Sequence, residues 1–242
     1  MEMQDYRISD MLISSFAGTV KFFGLWFWIS VLKFFIFVVE MSCASFVALF
    51  FVNAVIKSIP GIPALVYPEG MEHAQIYIAD VRLVLLALTL LLVFALLGGV
   101  VRMGAVQVAF DLQAGGKSSF ARVFTHTNLA WRHLGASALF NVGVFFGLCL
   151  LIVPGVVFAY RYWFYRQVLV EQGCGIFDAL QTSAQLTKGK FGQLAPSLFL
   201  LGILNEPMLH SAFLLGLITG PLSTLGQVFL YKNILVQKTH GI

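Results

Sequence analysis

The sequence predicts an all-α integral membrane protein with about six transmembrane helices, further interfacial amphipathic helices, and cytoplasmic N and C termini. Composition is the first reason, since 59% of the 242 residues are hydrophobic and 11% are charged. In soluble domains, about 45–50% of residues are hydrophobic and about 25% are charged. The second reason is the presence of long uncharged segments. The third is a one-sided distribution of lysine and arginine. Too few polar residues remain to cover a water-soluble globule, and disorder needs low hydrophobicity, so both classes are excluded.

The first hydrophobic block, residues 22–56, is too long for one ordinary span. A bilayer core of about 30 Å needs about 20 helical residues. One interpretation is an interfacial helix over residues 6–23 followed by one long tilted span over 24–56. The alternative is two short spans packed as a hairpin. Trp26 and Trp28 favour the first, because amphipathic aromatic rings suit the membrane interface.

Five further spans are predicted after this block. Residues 82–101 are the clearest, because 19 uncharged residues lie between Arg82 and Arg102. The remaining spans are 134–153, 155–171, 191–205 and 208–235. Pro154-Gly155 separates spans 134–153 and 155–171, and Asn205-Glu206-Pro207 separates spans 191–205 and 208–235, since proline and glycine favour turns.

Two smaller patterns concern packing and connections. Gly143 and Gly147 form a small-x-x-x-small pattern that permits close helix approach, either within the chain or at a dimer face. Residues 176–187 have helical periodicity with Gly189 as a C-cap, which predicts an amphipathic helix along the membrane surface. The 110–133 connection is a second candidate for such a helix.

The orientation follows from lysine and arginine in the connections. Residues 58–80 contain neither and are flanked by Lys57 and Arg82, so we expect this loop outside. The opposite side then receives Arg7, Lys21, Arg102, Lys117, Arg122, Arg132, Arg166, Lys188, Lys190, Lys232 and Lys238. This asymmetry predicts that both termini face the cytoplasm.

A family resemblance appears in the second half of the chain, over about residues 115–235. Its segments are Val153-Pro154-Gly155, Tyr160-Arg161-Tyr162, Leu169-Val170-Glu171, Ser183, Leu186-Thr187-Lys188-Gly189 and Leu230-Tyr231. This order resembles the YciC-like bacterial inner-membrane proteins and the membrane domain fused to some glycerophosphoryl diester phosphodiesterases. The resemblance implies about six transmembrane helices and an interfacial N-terminal helix, but no catalysis.

Three ionisable residues inside predicted spans are the candidate functional residues: Lys33, Glu40 and Arg161. Charges are costly in lipid, which makes such residues functional candidates. Arg161 could extend to the surface and stack on a neighbouring aromatic ring, pair with Glu40, or serve transport. Glu40 could be protonated, or paired with Lys33 or Arg161.

No catalytic, cofactor or metal site is predicted. The chain lacks G-x-S-x-G, H-E-x-x-H and Walker A motifs. His126 and His133 are predicted to lie in a solvated loop, and the three cysteines show no metal or disulfide spacing.

The resulting functional prediction is a non-enzymatic bacterial inner-membrane protein. It would bind membrane lipids, with a possible membrane-protein partner, in envelope or membrane-lipid homeostasis. Nucleic acid is not expected as a partner, and the oligomeric state stays open. The alternative is a small transporter or channel that uses the intramembrane charges.

Overall fold

The computed structural model describes residues 8–58, 73–116, 118–125, 127–204 and 213–239, and these residues form nine α-helices and no strand. The helices are α1 (Ile8–Lys21), α2 (Phe23–Ser58), α3 (His73–Gln113), α4 (Ala130–Leu150), α5 (Ile152–Arg161), α6 (Tyr165–Gln172), α7 (Ile176–Thr187), α8 (Phe191–Leu204) and α9 (Phe213–Thr239). Two short 3-10 helices, Phe120–Phe124 and Thr127–Leu129, precede α4. The all-helical prediction is therefore confirmed for the described part of the chain.

Two helices are long and apolar enough to cross a membrane, judged by length and composition. They are Phe23–Val52 within α2 and Val81–Gln113 within α3. At 1.5 Å per residue, each exceeds the bilayer core of about 30 Å. Because α2 is continuous from Phe23 to Ser58, the first hydrophobic block forms one long helix and not a hairpin of two short ones.

The chain divides into two compact units. The smaller unit is Phe35–Gly98, and the larger one combines Met1–Phe34 with Gly99–Ile242. In the smaller unit, the rings of Phe35 and Phe94 lie 6.4 Å apart and join α2 to α3. Many of its bulky apolar side chains are exposed, including Val38, Met41, Leu49, Leu85, Leu86 and Leu92.

A tight hairpin of α4 and α5 is the most extensive helix pair in the larger unit. The break lies at Leu151, which is extended, and not at Pro154-Gly155. Pro154 occupies the first turn of α5, where a proline costs no intrahelical hydrogen bond. A Cβ on Gly147 would lie 2.7 Å from the Gly155 Cα, so the two backbones touch. The small-residue pattern of α4 is thus used within the chain.

The tip of this hairpin is apolar and fully open. Leu151, Ile152 and Val153 are 69%, 72% and 71% exposed. Contiguous apolar surface of this kind marks a contact with lipid or protein. The hairpin therefore presents its most hydrophobic end outward.

The predicted span over residues 155–171 is not one helix. The structure ends α5 at Arg161, makes a turn over residues 162–164, and starts α6 at Tyr165. A one-helix interpretation of this segment is therefore wrong. The hydrogen bonds that stabilise the break come from α7 and are described below.

The first helix exposes several bulky apolar side chains. It packs on α9, where Gly226 faces the side of α1 that carries Ser15. Ser15 and Thr19 are buried, whereas Phe16 and Val20 are more than half exposed. Exposure of such apolar side chains is unfavourable in water.

The connections that follow α3 and α6 differ from each other. Helix α7 buries Ala179 and Ser183 while Phe177 is 75% exposed, and Gly189 has the positive φ of 77° expected after a helix end. The 110–133 connection instead consists of the end of α3 and the two 3-10 helices. A second amphipathic α-helix there was a wrong prediction, because its glycines and short 3-10 turns interrupt any longer helix.

The last two helices lie close to their predicted positions. Helix α8 covers all but the last residue of 191–205, and α9 continues through Pro221 to Thr239. The predicted Asn205-Glu206-Pro207 turn, the start of span 208–235, and most of the 58–80 loop lie outside the described residues.

Candidate functional site

The three intramembrane charges predicted from sequence belong to two different units. Glu40 belongs to the smaller unit, whereas Lys33 and Arg161 belong to the larger one. Arg161 is exposed at the end of α5. Lys33 is half-buried, and its electrostatic neighbours are Arg102 and Arg166. The structure thus groups Lys33 with two cations that sequence reasoning did not select.

Arg161 participates in the structure through its backbone carbonyl, at the break between α5 and α6. The Ser183 hydroxyl donates to this carbonyl (3.1 Å) and accepts from the Phe164 N–H (3.1 Å). The Thr187 hydroxyl also lies 3.2 Å from the same carbonyl. One serine and one threonine on α7 therefore satisfy the backbone groups that the interrupted helix leaves unpaired.

The residues that carry the family resemblance continue this contact network. The Tyr160 hydroxyl donates to the Thr187 carbonyl at 3.1 Å. On the next helix, Glu171 accepts a hydrogen bond from the Tyr231 hydroxyl of α9. Leu169, Leu186 and Leu230 are all buried. These motif positions explain how α5, α6, α7 and α9 pack, so their role in this fold is structural.

A second buried polar chain joins α6, α9 and α8. The Gln167 Nε2 donates to the Gln227 Oε1 (3.0 Å), and the Gln227 Nε2 donates to the Ser223 hydroxyl (3.2 Å). Ser223 in turn donates to the Leu201 carbonyl at 3.2 Å. Side-chain hydrogen bonds between helices of this kind are typical of helix packing in membranes.

His133 and Arg166 lie where α4 and α6 meet. Arg102 and Lys33 are linked to them by electrostatic interactions, and we call these four residues the cationic cluster. The His133 ring stacks on Tyr165, with centroids 6.0 Å apart and planes 12° from parallel. Arg166 lies 5.5 Å above the same Tyr165 ring, and its Nε donates to the tyrosine oxygen at 3.1 Å. Tyr165 therefore holds an imidazole and a guanidinium side by side.

His133 is the buried centre of this cluster. It is 2% exposed, and its Nδ1 is buried without a hydrogen-bond partner. A Cβ on Gly99 of α3 would lie 3.2 Å from its ring, so a third helix approaches it closely. Its burial overturns the prediction of a solvated loop, because α4 begins at Ala130 and includes it. His126 lies outside the described residues.

His133 is buried in a setting with positive charge nearby. It precedes the predicted span 134–153, and its pKa is lowered well below 6.5 by burial first, and then by Arg166 and Arg102. His133 and Arg166 also lie in the first turns of α4 and α6, where the helix dipole adds positive potential. Chemically, this arrangement suits an anion.

Metal and thiol chemistry find less support in the described ranges. Among these residues, no group of three His, Cys, Asp or Glu side chains could hold a metal ion. Cys43, Cys149 and Cys174 are free thiols. Burial is the main reason that the pKa of Cys174 is raised, and a raised thiol pKa disfavours the reactive thiolate.

No single sequence signal could have identified the cationic cluster. Its members are spread over residues 33–166, and Arg102 and Arg166 look like ordinary flanking charges in the sequence. No protein-family model, curated protein or solved structure matches this chain. The resemblance to the YciC-like proteins therefore remains a prediction from the motif residues.

Proposed function

We propose that this chain is a multi-pass protein of the bacterial inner membrane, related to the YciC-like group, with about six spans and both termini in the cytoplasm. It acts without catalysis in envelope or membrane-lipid homeostasis, by binding membrane lipids or a membrane-protein partner.

The observation that carries this proposal is the large number of exposed bulky apolar side chains in the larger unit, together with a small set of buried polar residues. Polar residues such as Ser197, Ser223 and Gln167 are buried, while Phe145 and Phe199 are more than 60% exposed. An apolar exterior is favourable in lipid and unfavourable in water. The two long apolar helices and the open hairpin tip support the same environment.

The localisation and topology can be tested together. When membranes from lysed cells are washed with carbonate and pelleted, we expect the protein in the pellet. Carbonate does not extract transmembrane helices. In a variant without native cysteines, Ala64→Cys should react with an impermeant maleimide in intact spheroplasts. Lys238→Cys should react only after permeabilisation.

Three results would contradict parts of this proposal. Protein that stays soluble without detergent would exclude the membrane assignment, and reversed labelling of Ala64→Cys and Lys238→Cys would exclude the orientation alone. Turnover of a phospholipid or phosphodiester by purified protein would contradict the non-enzymatic role.

The transporter or channel alternative has one structural feature in its favour. Helices α5 and α6 form an interrupted helix, and transporters often place binding sites at such breaks. Here Ser183 and Thr187 already bond to the backbone at the break, so these groups are not offered to a substrate. Substrate flux into proteoliposomes that is lost in Glu40→Gln and Arg161→Leu would favour this alternative.

A further inference from the structure

We propose that the cationic cluster is a binding site for a phosphate anion, and that the phosphate is the headgroup of an anionic membrane lipid. The inference rests on the proposed membrane location and specifies the lipid class for it. Basic pockets between helices on the cytoplasmic side of a membrane bind anionic headgroups.

The first argument is the concentration of positive charge within one unit. Arg102 and Arg166 each act on Lys33 and on His133. A bound anion would be attracted by each of these positive charges.

The second argument is the unsatisfied ring nitrogen of His133. A buried polar atom without a partner costs free energy, and such atoms are uncommon in native proteins. The Nδ1 of His133 is buried and unpartnered. A phosphate oxygen at the cluster would supply the missing hydrogen bond.

The third argument is that the guanidinium is held in position and remains accessible. Arg166 is fixed over the Tyr165 ring and bonded through Nε to the tyrosine oxygen, and its terminal nitrogens stay available to a planar or tetrahedral anion. Arg102 is exposed and Arg166 is half-buried, so an anion can approach these two guanidinium groups from outside the helix bundle.

The predicted orientation places Arg102 and His133 at the level of the cytoplasmic headgroups. Arg102 and His133 directly flank the predicted spans 82–101 and 134–153 on their cytoplasmic side. Anionic lipid headgroups lie at this level, whereas a cluster at the centre of the bilayer would meet only acyl chains.

The test measures thermal unfolding of the purified full-length protein in neutral detergent. It is titrated with dihexanoyl phosphatidylglycerol, with dihexanoyl phosphatidylcholine, and with inorganic phosphate. A ligand that binds the folded state raises the unfolding midpoint, which yields an apparent Kd. We expect phosphatidylglycerol to stabilise the protein well below the concentration at which phosphatidylcholine does.

Charge variants locate the site. Arg166→Gln should raise the apparent Kd for phosphatidylglycerol about tenfold or more, the loss expected for a charge-assisted hydrogen bond. Arg166→Lys should retain more affinity than Arg166→Gln. Arg161→Gln is the matched control, since Arg161 is an exposed arginine outside the cluster, and its Kd should be unchanged.

A histidine variant separates binding from folding. His133→Phe keeps an aromatic ring against Tyr165 and removes the unpartnered nitrogen. Without lipid, it should unfold at the same or a higher temperature, because an apolar replacement of an unsatisfied group is neutral or stabilising. Its affinity for phosphatidylglycerol should nevertheless fall several-fold.

The outcomes assign the source of the phosphate or overturn the site. Stabilisation by phosphatidylglycerol but not by inorganic phosphate supports a lipid headgroup, whereas equal stabilisation supports the phosphate site with a free anion as its ligand. The site is refuted if phosphatidylglycerol and phosphatidylcholine act alike, or if Arg166→Gln behaves like Arg161→Gln. Localisation is measured separately by fractionation. A membrane-bound protein without this lipid selectivity would therefore exclude the phosphate site and leave the membrane assignment intact.

Discussion

The break between α5 and α6 provides the sharpest test of how this fold is stabilised. Ser183→Ala removes the hydroxyl that accepts from the Phe164 N–H and donates to the Arg161 carbonyl. Phe164 is completely buried, so its N–H has no access to water. An unsatisfied buried donor costs about 1–3 kcal/mol, and we expect that loss in the free energy of unfolding.

In this first variant, the Arg161 carbonyl should keep a hydrogen bond, because Thr187 can replace Ser183 as its donor. The Thr187 hydroxyl has one hydrogen and lies 3.2 Å from that carbonyl and 3.1 Å from the carbonyl of Ser183. For the same reason, Thr187→Val alone should cost only about 0.5–1.5 kcal/mol. The double variant removes both donors and leaves the Arg161 carbonyl unpaired as well.

The two substitutions should therefore be non-additive. We expect the double variant Ser183→Ala/Thr187→Val to lose about 1 kcal/mol more than the sum of the single variants, within the range found for residues that share a partner. The assay is reversible unfolding in mixed micelles with increasing denaturing detergent, followed by tryptophan fluorescence. Gln185→Ala is the matched control, since Gln185 is exposed on the same helix. The reasoning fails if Ser183→Ala costs no more than Gln185→Ala, or if the double variant is additive within about 0.5 kcal/mol.

Two other consequences can be measured in the same unfolding assay. Gly147→Ala should lower the free energy of unfolding by about 1–3 kcal/mol, because its Cβ meets the Gly155 backbone. Gly192 has open space around it, so Gly192→Ala should raise the free energy of unfolding by up to about 1 kcal/mol through helix propensity. Equal effects of the two substitutions would exclude the close contact. Burial first, and neighbouring arginines second, hold the pKa of His133 below 6.5. As the pH drops below that value, the unfolded chain therefore binds a proton at His133 before the folded protein does. The free energy of unfolding should fall by at most about 1.4 kcal/mol per pH unit for this one proton. His133→Phe should reduce this slope, and an unchanged slope would show that other groups cause it.

Several parts of the fold could be predicted because they depend on local composition. The uncharged residues between Arg82 and Arg102 could only form an apolar helix, and α3 includes them all. The amphipathic period of α7 and the positive φ of Gly189 also follow from residues close together in the chain. Such features need no knowledge of distant contacts.

Other parts depended on neighbours that the sequence does not reveal. Pro154-Gly155 predicts a break, yet the chain turns at Leu151, because proline is accepted in the first helical turn and Gly155 is needed for contact with Gly147. The interruption after Arg161 carries no proline or glycine signal and depends on hydroxyls from α7. His133 was assigned to solvent because its burial comes from helices distant in sequence.

By itself, the amino-acid sequence determined the helical class of this protein and predicted an apolar environment, because its excess of apolar residues has few charges to cover it. Only the tertiary structure decided which polar groups meet. Hydrogen bonds and charge interactions act over a few ångströms, so the approach of Arg166 to His133, or of Ser183 to Phe164, is set by helix packing and not by the distance along the chain.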